Sequence, residues 1–398
     1  MKNVTCKNRQ NVDENIITFE AGKTAPKNNM FHEVNDDVRL AKVMTVVGPN
    51  ASGKTNFFKL LFFIRNYVLH SNIDKLRFPI APFLFDVKGT SPISKIEVEV
   101  YIEKILYKYV LWVRADNIVI KEELKYKTLG SRLKSLINRS LTEDVKIKIG
   151  ECELKDKINV LMESSDINPK ASILAMFPFI KSGYAEIFIL FWKFFYTDIN
   201  SAYPILFNRD DSDAAQQKVA KLFLEDKKFK NQAIELLHLL DLGLDDIDVS
   251  KAKDVSSERY NIMGVHLIDN IGFKLPWLLE SEGTRRIFNL LDKIILALND
   301  GGLLVLDELD VNLHPDLLVP IIDRFADPEA NPKNAQLIFS THSPLVMNKL
   351  DKTQILLVEK NNKNESEIWR LNDMEGVRHD DNWYKKYISG VYGAKPRV

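Results

Sequence analysis

Cysteine is scarce: Cys6 and Cys152 are too few for a disulfide framework and too far apart for a zinc ribbon, and isolated thiols suit a reducing compartment. Net charge is lacking too. With 55 Lys and Arg against 55 Asp and Glu, no bulk basic field exists to coat a nucleic acid, so any polyanion must be met by a local patch. Long hydrophobic runs are missing. The most apolar window, Ala185 to Tyr196, is broken by Lys193 and falls short of the ~18 residues of a membrane span, so it reads as a buried helix. Met1 to Glu14 is polar throughout and carries no signal-peptide pattern. Glutamine is absent between Gln10 and Gln216, and no internal repeat or low-complexity tract is present. The expectation is a soluble cytoplasmic protein with no membrane partner. Its 398 residues, 45% of them hydrophobic, are enough for two or three structural units with a sizeable core.

What is there reads as an α/β chain. Val43 to Val47 is a short run rich in β-branched residues, followed at once by a glycine loop and then by Asn56 to Leu69, apolar on most faces: strand, loop, helix. From Lys95 to Ile120 apolar and polar residues alternate (Ile96, Val98, Val100, Ile102), which predicts an antiparallel meander with one wetted face. Residues 128–250 read as mostly helical, broken at Pro169, Pro178, Pro204 and the polar stretch Asn208 to Asp213, and those breaks exclude a coiled-coil arm. Beyond them, strand-like and helical stretches alternate (Asn261 to Phe273, Gly283 to Leu298, Leu303 to Leu306, His314 to Phe325, Gln336 to Phe339, Gln354 to Val358), as in a parallel sheet with helices on its faces. The expected division is an N-terminal lobe over 1–127, a helical insertion over 128–250 and a C-terminal lobe over 251–398.

Four stretches carry chemistry. Gly48-Pro49-Asn50-Ala51-Ser52-Gly53-Lys54-Thr55, running into Asn56, satisfies the P-loop pattern between a buried strand and a helix. Its glycines let the backbone wrap phosphate oxygens, and the amides at the helix N-terminus present donors. Lys54 is placed to neutralise β- and γ-phosphates, and the Thr55 hydroxyl to ligate Mg²⁺. Leu303 to Leu306 is a buried strand delivering Asp307 and Glu308 at its carboxyl edge, the first as a metal-organising carboxylate, the second to orient or deprotonate water. Ser281 and Gly283 stand where a helix begins, 24 residues before Asp307 in the case of Gly283, and offer a hydroxyl and free amides to an anion. Ser340-Thr-His342-Ser-Pro344 ends a strand and puts His342 in reach of a γ-phosphate.

These four, in this order and spacing, resemble the ATP-binding-cassette-type ATPases of the Rad50, SMC and RecF group. The runs Glu280 to Arg286, Asp307 to Pro315 and Ser389 to Pro396 narrow the resemblance to small ABC-like AAA ATPases related to the OLD proteins, found in bacterial abortive-infection and anti-phage systems such as PARIS. It covers the chain from about Ala41 onward and is weakest in the middle. It implies an ABC-type (RecF/Rad50-like) P-loop ATPase head with an antiparallel β meander and a helical insertion. It also implies hydrolysis of ATP with Mg²⁺ between two head-to-tail copies: Lys54, Thr55, Asp307, Glu308 and His342 act in cis, and Ser281 and Gly283 act in trans. Asp310 to His314 takes the place of the D-loop. A homodimer or larger even-numbered oligomer follows. The chain departs from the family pattern in having only Ile16 to Gly22 where an Asn-Phe-Arg-Ser-like strand is usual, and no Q-loop glutamine; Pro82 to Asp86 stands near that place.

About 55 residues follow His342, too few for the Toprim nuclease domain that OLD nucleases carry. The resemblance therefore implies a separate effector chain, a Toprim-type nuclease, under the control of this ATPase, with a phage trigger protein or nucleic acid as a further partner. The alternatives are a RecF- or SMC-like DNA repair ATPase and, last, a transporter subunit. Basic residues at Lys121, Lys125, Lys127, Arg132, Lys134 and Arg139, and again from Lys218 to Lys230, read first as solvated faces and second as a DNA contact.

Overall fold

The computed structural model describes residues 1–398 apart from 2, 9–14, 23, 73–92, 115, 143–145, 165–167, 180–182, 200–210, 253–258 and 396–398. The stretch Pro82 to Asp86 and the first half of the polar stretch Asn208 to Asp213 thus lie outside the described residues.

The central sheet has six strands in the order Phe195–Thr197, Leu303–Leu306, Gln336–Thr341, Val43–Val47, Ile355–Lys360 and Ser366–Arg370. The first five are parallel, and the last pairs antiparallel with its neighbour. Val43–Val47 and Leu303–Leu306 are buried at every position, as continuous apolar strands covered on both faces must be. The P-loop opens the helix Lys54–His70, which buries Phe58, Leu61, Ile64 and Val68 and packs on the helix Gly183–Lys193.

A second sheet of seven antiparallel strands runs Ile147–Ile149, Lys134–Leu141, Val119–Lys127, Ile105–Arg114, Ile93–Ile102, Asn3–Asn8 and Asn15–Thr18. The alternation read between Lys95 and Ile120 is its centre: Ile96, Val98 and Val100 are buried and share one continuous core with the parallel sheet. A third sheet (Asp246–Lys251, Tyr260–Ile268, Ile271–Pro276) ends in a two-residue hairpin whose Asp269 and Asn270 both have positive φ, the requirement of the tight turn that matches strand twist. The strand-like stretch from Asn261 to Phe273 is thus a hairpin of two strands.

The expectation of a helical segment over 128–250 is met only in part. Helices span Lys155–Ser164, Gly183–Lys193, Asp211–Glu225 and Lys227–Leu239, but Lys134–Leu141 and Ile147–Ile149 extend the meander, and Phe195–Thr197 is an edge strand of the central sheet. Two local features hid these strands. Leu136 is the extra residue where the register shifts opposite Leu124 and Lys125, so Leu136 and Ile137 are both buried and the period of two is lost. Phe195–Thr197 is three residues long and continues the aromatic run of the preceding helix, so it displays no period of its own.

Arg139, counted above among surface basic residues, is fully buried against Glu122. Glu122 also accepts from Tyr109 Oη at 3.0 Å, from the Ser172 hydroxyl and from the Ile173 amide at 2.9 Å, while Arg139 donates to the carbonyls of Ala171 and of Pro169, the latter at 2.9 Å. This network fastens the meander to the 169–174 segment; removing one partner of such a pair costs about 3–5 kcal/mol. Among the described residues no helix is long and apolar enough to cross a membrane.

Candidate active site

Three neighbouring strands of the parallel sheet, Leu303–Leu306, Gln336–Thr341 and Val43–Val47, end at one edge, and their carboxyl ends carry Asp307, His342 and the P-loop, as open α/β sheets place their ligand crevice. A Cβ on Gly48 would stand 2.2 Å from the Val358 carbonyl, and Gly53 has φ +113°, so the loop needs glycine at both ends of its curl. Lys54 is 5% exposed, and its ammonium turns back onto the carbonyls of Gly48 at 2.8 Å and Pro49 at 3.0 Å. Burial lowers the Lys54 pKa from its ordinary value, while the Glu308, Asp307 and Asp310 carboxylates oppose that shift.

Asp307 is held on both oxygens. Thr55 Oγ1 donates to Oδ2 at 2.6 Å, and Ser340 Oγ donates to Oδ1 at 2.5 Å. Ser340 Oγ in turn accepts the Glu308 amide at 2.7 Å, and the Leu309 amide donates to the Ser340 carbonyl at 3.0 Å. Glu308 has φ +48°, left-handed backbone that a non-glycine residue adopts at a cost of about 1–3 kcal/mol when its surroundings insist. Its carboxylate lies 3.2 Å from His342 Nε2, and the His342 amide donates to both Asp310 oxygens at 3.1 and 3.0 Å.

A hollow of about 300 Å³ is lined by Asn50, Ala51, Ser52, Gly53, Lys54, Thr55, Asn56, Glu308 and His342. A second, of about 330 Å³, shares Thr55 and Glu308 and adds Lys59, Asp198, Arg286, Asp307 and Val311. The donor set fits a nucleotide with Mg²⁺. The Thr55 hydroxyl and the Asp307 carboxylate are adjacent hard oxygens of the kind that cation takes, and the buried Ser52 hydroxyl under the loop has no hydrogen-bond partner in the protein.

The structure thus brings Lys54, Thr55, Asp307, Glu308 and His342 together and leaves Ser281 and Gly283 out of both hollows. Ser281 caps the helix Glu282–Asp300: its hydroxyl accepts the Thr284 amide at 3.0 Å and lies 2.8 Å from the Thr284 hydroxyl. Its side chain faces solvent. Just upstream, Glu280 is buried and bonded to His266 Nε2 at 2.9 Å, whose other ring nitrogen lies 2.8 Å from the Gly243 carbonyl. The Glu280 contact raises the His266 pKa above its ordinary value.

Sequence reasoning missed Asp198. It follows the edge strand, accepts the Asp307 amide at 2.9 Å and pairs with Arg286 at 3.1 Å. The signal was present in a weak form, a short aromatic strand ending in a carboxylate beside the stronger Leu303 to Asp307 pattern. Arg286 and Ser340 stood in recognised stretches without assigned roles. Of the basic residues considered for DNA contact, Lys121 and Lys125 each pair with Glu123 at 3.2 Å, and Lys218 with Asp292 at 2.8 Å.

A P-loop strand amid a parallel sheet, an antiparallel sheet joined to it by one core, and Asp-Glu and His motifs at the same edge make an ABC-type P-loop ATPase head. Two curated proteins are similar over part of the chain. The "Retron Vc95 probable ATPase" of Vibrio cholerae serotype O1 biovar El Tor is 34% identical over 82 residues, 21% of this chain and 15% of the relative. The "Retron Ec83 probable ATPase" of Escherichia coli is 30% identical over 122 residues, 30% of this chain and 22% of the relative. The match therefore spans less than a quarter of either relative's length. Among solved structures, the "Crystal structure of the SmcHead bound to the C-winged helix domain of ScpA" aligns with 93% of this chain and 98% of that one, at 12% identity and a TM-score of 0.44. The model of one family matches residues 43–348, most of the chain and all four motifs, and the chain belongs to that family, described as "AAA domain, putative AbiEii toxin, Type IV TA system".

Proposed function

We propose that this protein binds and hydrolyses ATP and that the cycle controls a separate effector in a bacterial defence module, in the manner of OLD- and PARIS-type ATPases. The observation that carries the reading is the chain of contacts Thr55–Asp307–Ser340–Glu308–His342 closing on the P-loop, which places a metal-organising carboxylate and a water-orienting carboxylate, each fixed by neighbours, at one sheet edge. Thr55 and Asp307 would hold Mg²⁺, which supplies charge neutralisation on the phosphates. Lys54 leaves its loop carbonyls for the β- and γ-phosphate oxygens. Glu308 orients and takes the proton of the attacking water, and His342 stands beside it to meet the γ-phosphate.

In this reading two copies share each nucleotide, with Ser281 and Gly283 of one facing the P-loop of the other, in a homodimer or larger even-numbered assembly. Support comes from the outward side chain of Ser281 and from Leu278 and Leu279 beside it, 79% and 67% exposed, apolar surface that a second copy would cover. The names of the two partial relatives and of the family favour defence as the setting. The partner under control is, in this reading, a Toprim-type nuclease chain in the cytoplasm.

Glu308→Gln tests it. The variant binds ATP with unchanged affinity, loses turnover by at least about a hundredfold, and accumulates as a closed dimer in the presence of ATP. Steady-state hydrolysis and mass photometry read the result, and hydrolysis at the unaltered rate would sink the assignment.

A further inference from the structure

Resting on that reading of the site, one contact set outside the P-loop hollow is left without a role. We infer that Asp198 and Arg286 are a positioning pair, which holds the Asp307–Glu308 turn in register for hydrolysis and ties it to the helix headed by Ser281.

Strand Phe195–Thr197 pairs in parallel with Leu303–Leu306 through Thr197 opposite Val305, and the next residue, Asp198, replaces the backbone ladder with its side chain. One carboxylate oxygen accepts the Asp307 amide at 2.9 Å, and the other accepts from an Arg286 terminal nitrogen at 3.1 Å. That same nitrogen lies 3.2 Å from the Asp307 carbonyl and 3.3 Å from the Glu308 carbonyl. The turn is thus gripped from one side by Asp198 and Arg286 and from the other by Ser340, which takes the Glu308 amide. The grip falls on the residue whose φ is +48°, a backbone state that relaxes unless its neighbours hold it.

Both residues line the adjoining hollow beside Thr55, Asp307 and Glu308 and neither lines the P-loop hollow itself, so on phosphates held by the loop their effect passes through Asp307 and Glu308. Arg286 lies five residues beyond Ser281 on the same rigid helix, Glu282–Asp300. A displacement of Ser281 by a phosphate of the neighbouring copy's site is therefore carried to the hydrolytic turn of its own copy. The pair is a mechanical link between the half-site a chain lends and the half-site it keeps.

The test uses the full chain and the variants Asp198→Asn and Arg286→Lys. Each should lower kcat by about tenfold or more with KM for ATP changed by less than about twofold, because binding groups are untouched and a displaced reacting geometry alone is costly. The double variant should be no slower than the slower single one, since either change breaks the same link. Hydrogen–deuterium exchange over residues 303–311, measured without nucleotide, should rise in each variant. Unchanged exchange, a KM that rises in step with the fall in kcat, or additive losses in the double variant overturn the pairing. Should the unaltered protein hydrolyse no ATP, the reading of the site as an ATPase fails, and the exchange measurement by itself decides the pair. If Asp198→Asn does not fold, Arg286→Lys, which keeps the positive charge but loses the planar reach to two carbonyls, gives the same decision.

Discussion

The P-loop edge and the Ser281–Gly283 helix start, the two halves of the proposed shared site, are built by opposite means. The phosphate-binding half sits on strand ends of one sheet, where ladder hydrogen bonds and a buried core fix every backbone position, and its lysine is buried and already bonded. The half formed by Ser281 and Gly283 sits on a helix start at the surface, with its hydroxyl facing solvent and satisfied by its own first turn. Gly283 is pressed there by the Asn312 carbonyl, which would stand 2.6 Å from any added Cβ, so this half touches the loop after Asp307. On the proposed dimer, the half that serves its own chain is enclosed, and the half offered to another copy is held in shape without being covered. Capping does that at small energetic cost, roughly 1 kcal/mol per cap.

Three changes would break or sharpen that contrast. The largest effect belongs to the enclosed half. Lys54→Ala should weaken ATP binding on the order of a hundredfold, since a charge-assisted contact to phosphate is lost from a buried position; titration of a fluorescent ATP analogue reads it. At the exposed half, Ser281→Arg should leave ATP affinity in isolated chains within about twofold while removing hydrolysis. Mixing the Lys54→Ala and Ser281→Arg chains is the sharper form, because one site of each mixed dimer then has neither lesion. Recovery of about a quarter of the unaltered activity is expected from half the dimers carrying one sound site of two. No recovery would show that both halves act within one chain.

The smallest effect concerns the hairpin behind Ser281. The Glu280 carboxylate raises the His266 pKa, so the folded protein favours the charged imidazole. The resulting stability is complete below the ordinary histidine value and is lost as pH rises through the raised one. His266→Gln keeps a neutral hydrogen bond and loses the charge. It should lower the melting temperature by about 2 °C or less at pH 6, corresponding to under about 1 kcal/mol, and leave it unchanged at pH 9. An equal difference at both pH values would mean that shape, not charge, joins the hairpin to Glu280.

The same contrast marks how far the residues could be read without the fold. Lys54, Thr55, Asp307, Glu308 and His342 are legible because a phosphate loop and a buried strand ending in carboxylates are local patterns with local causes. Asp198 was not, since its strand of three residues has no period and its meaning depends on landing beside Leu303–Leu306, more than 100 residues away. Arg139 was read as surface charge for the same reason. Its partner Glu122 and the carbonyls of Pro169 and Ala171 come from other strands and loops, and only their meeting makes a buried cation tolerable. Leu136 shows the third case, a bulge that cancels the alternation by which its neighbours were recognised.

By itself the sequence determined the phosphate loop, the buried strand ending in Asp307 and Glu308, the capped helix start and the alternating meander, because each follows from backbone geometry within a few residues. The tertiary structure alone decided that Asp198, Arg286 and Ser340 close around Asp307 and Glu308, and that Ser281 and Gly283 lie outside both hollows at that edge. Those are distances between segments far apart in the chain, set by strand order and core packing, and no local rule of spacing contains them.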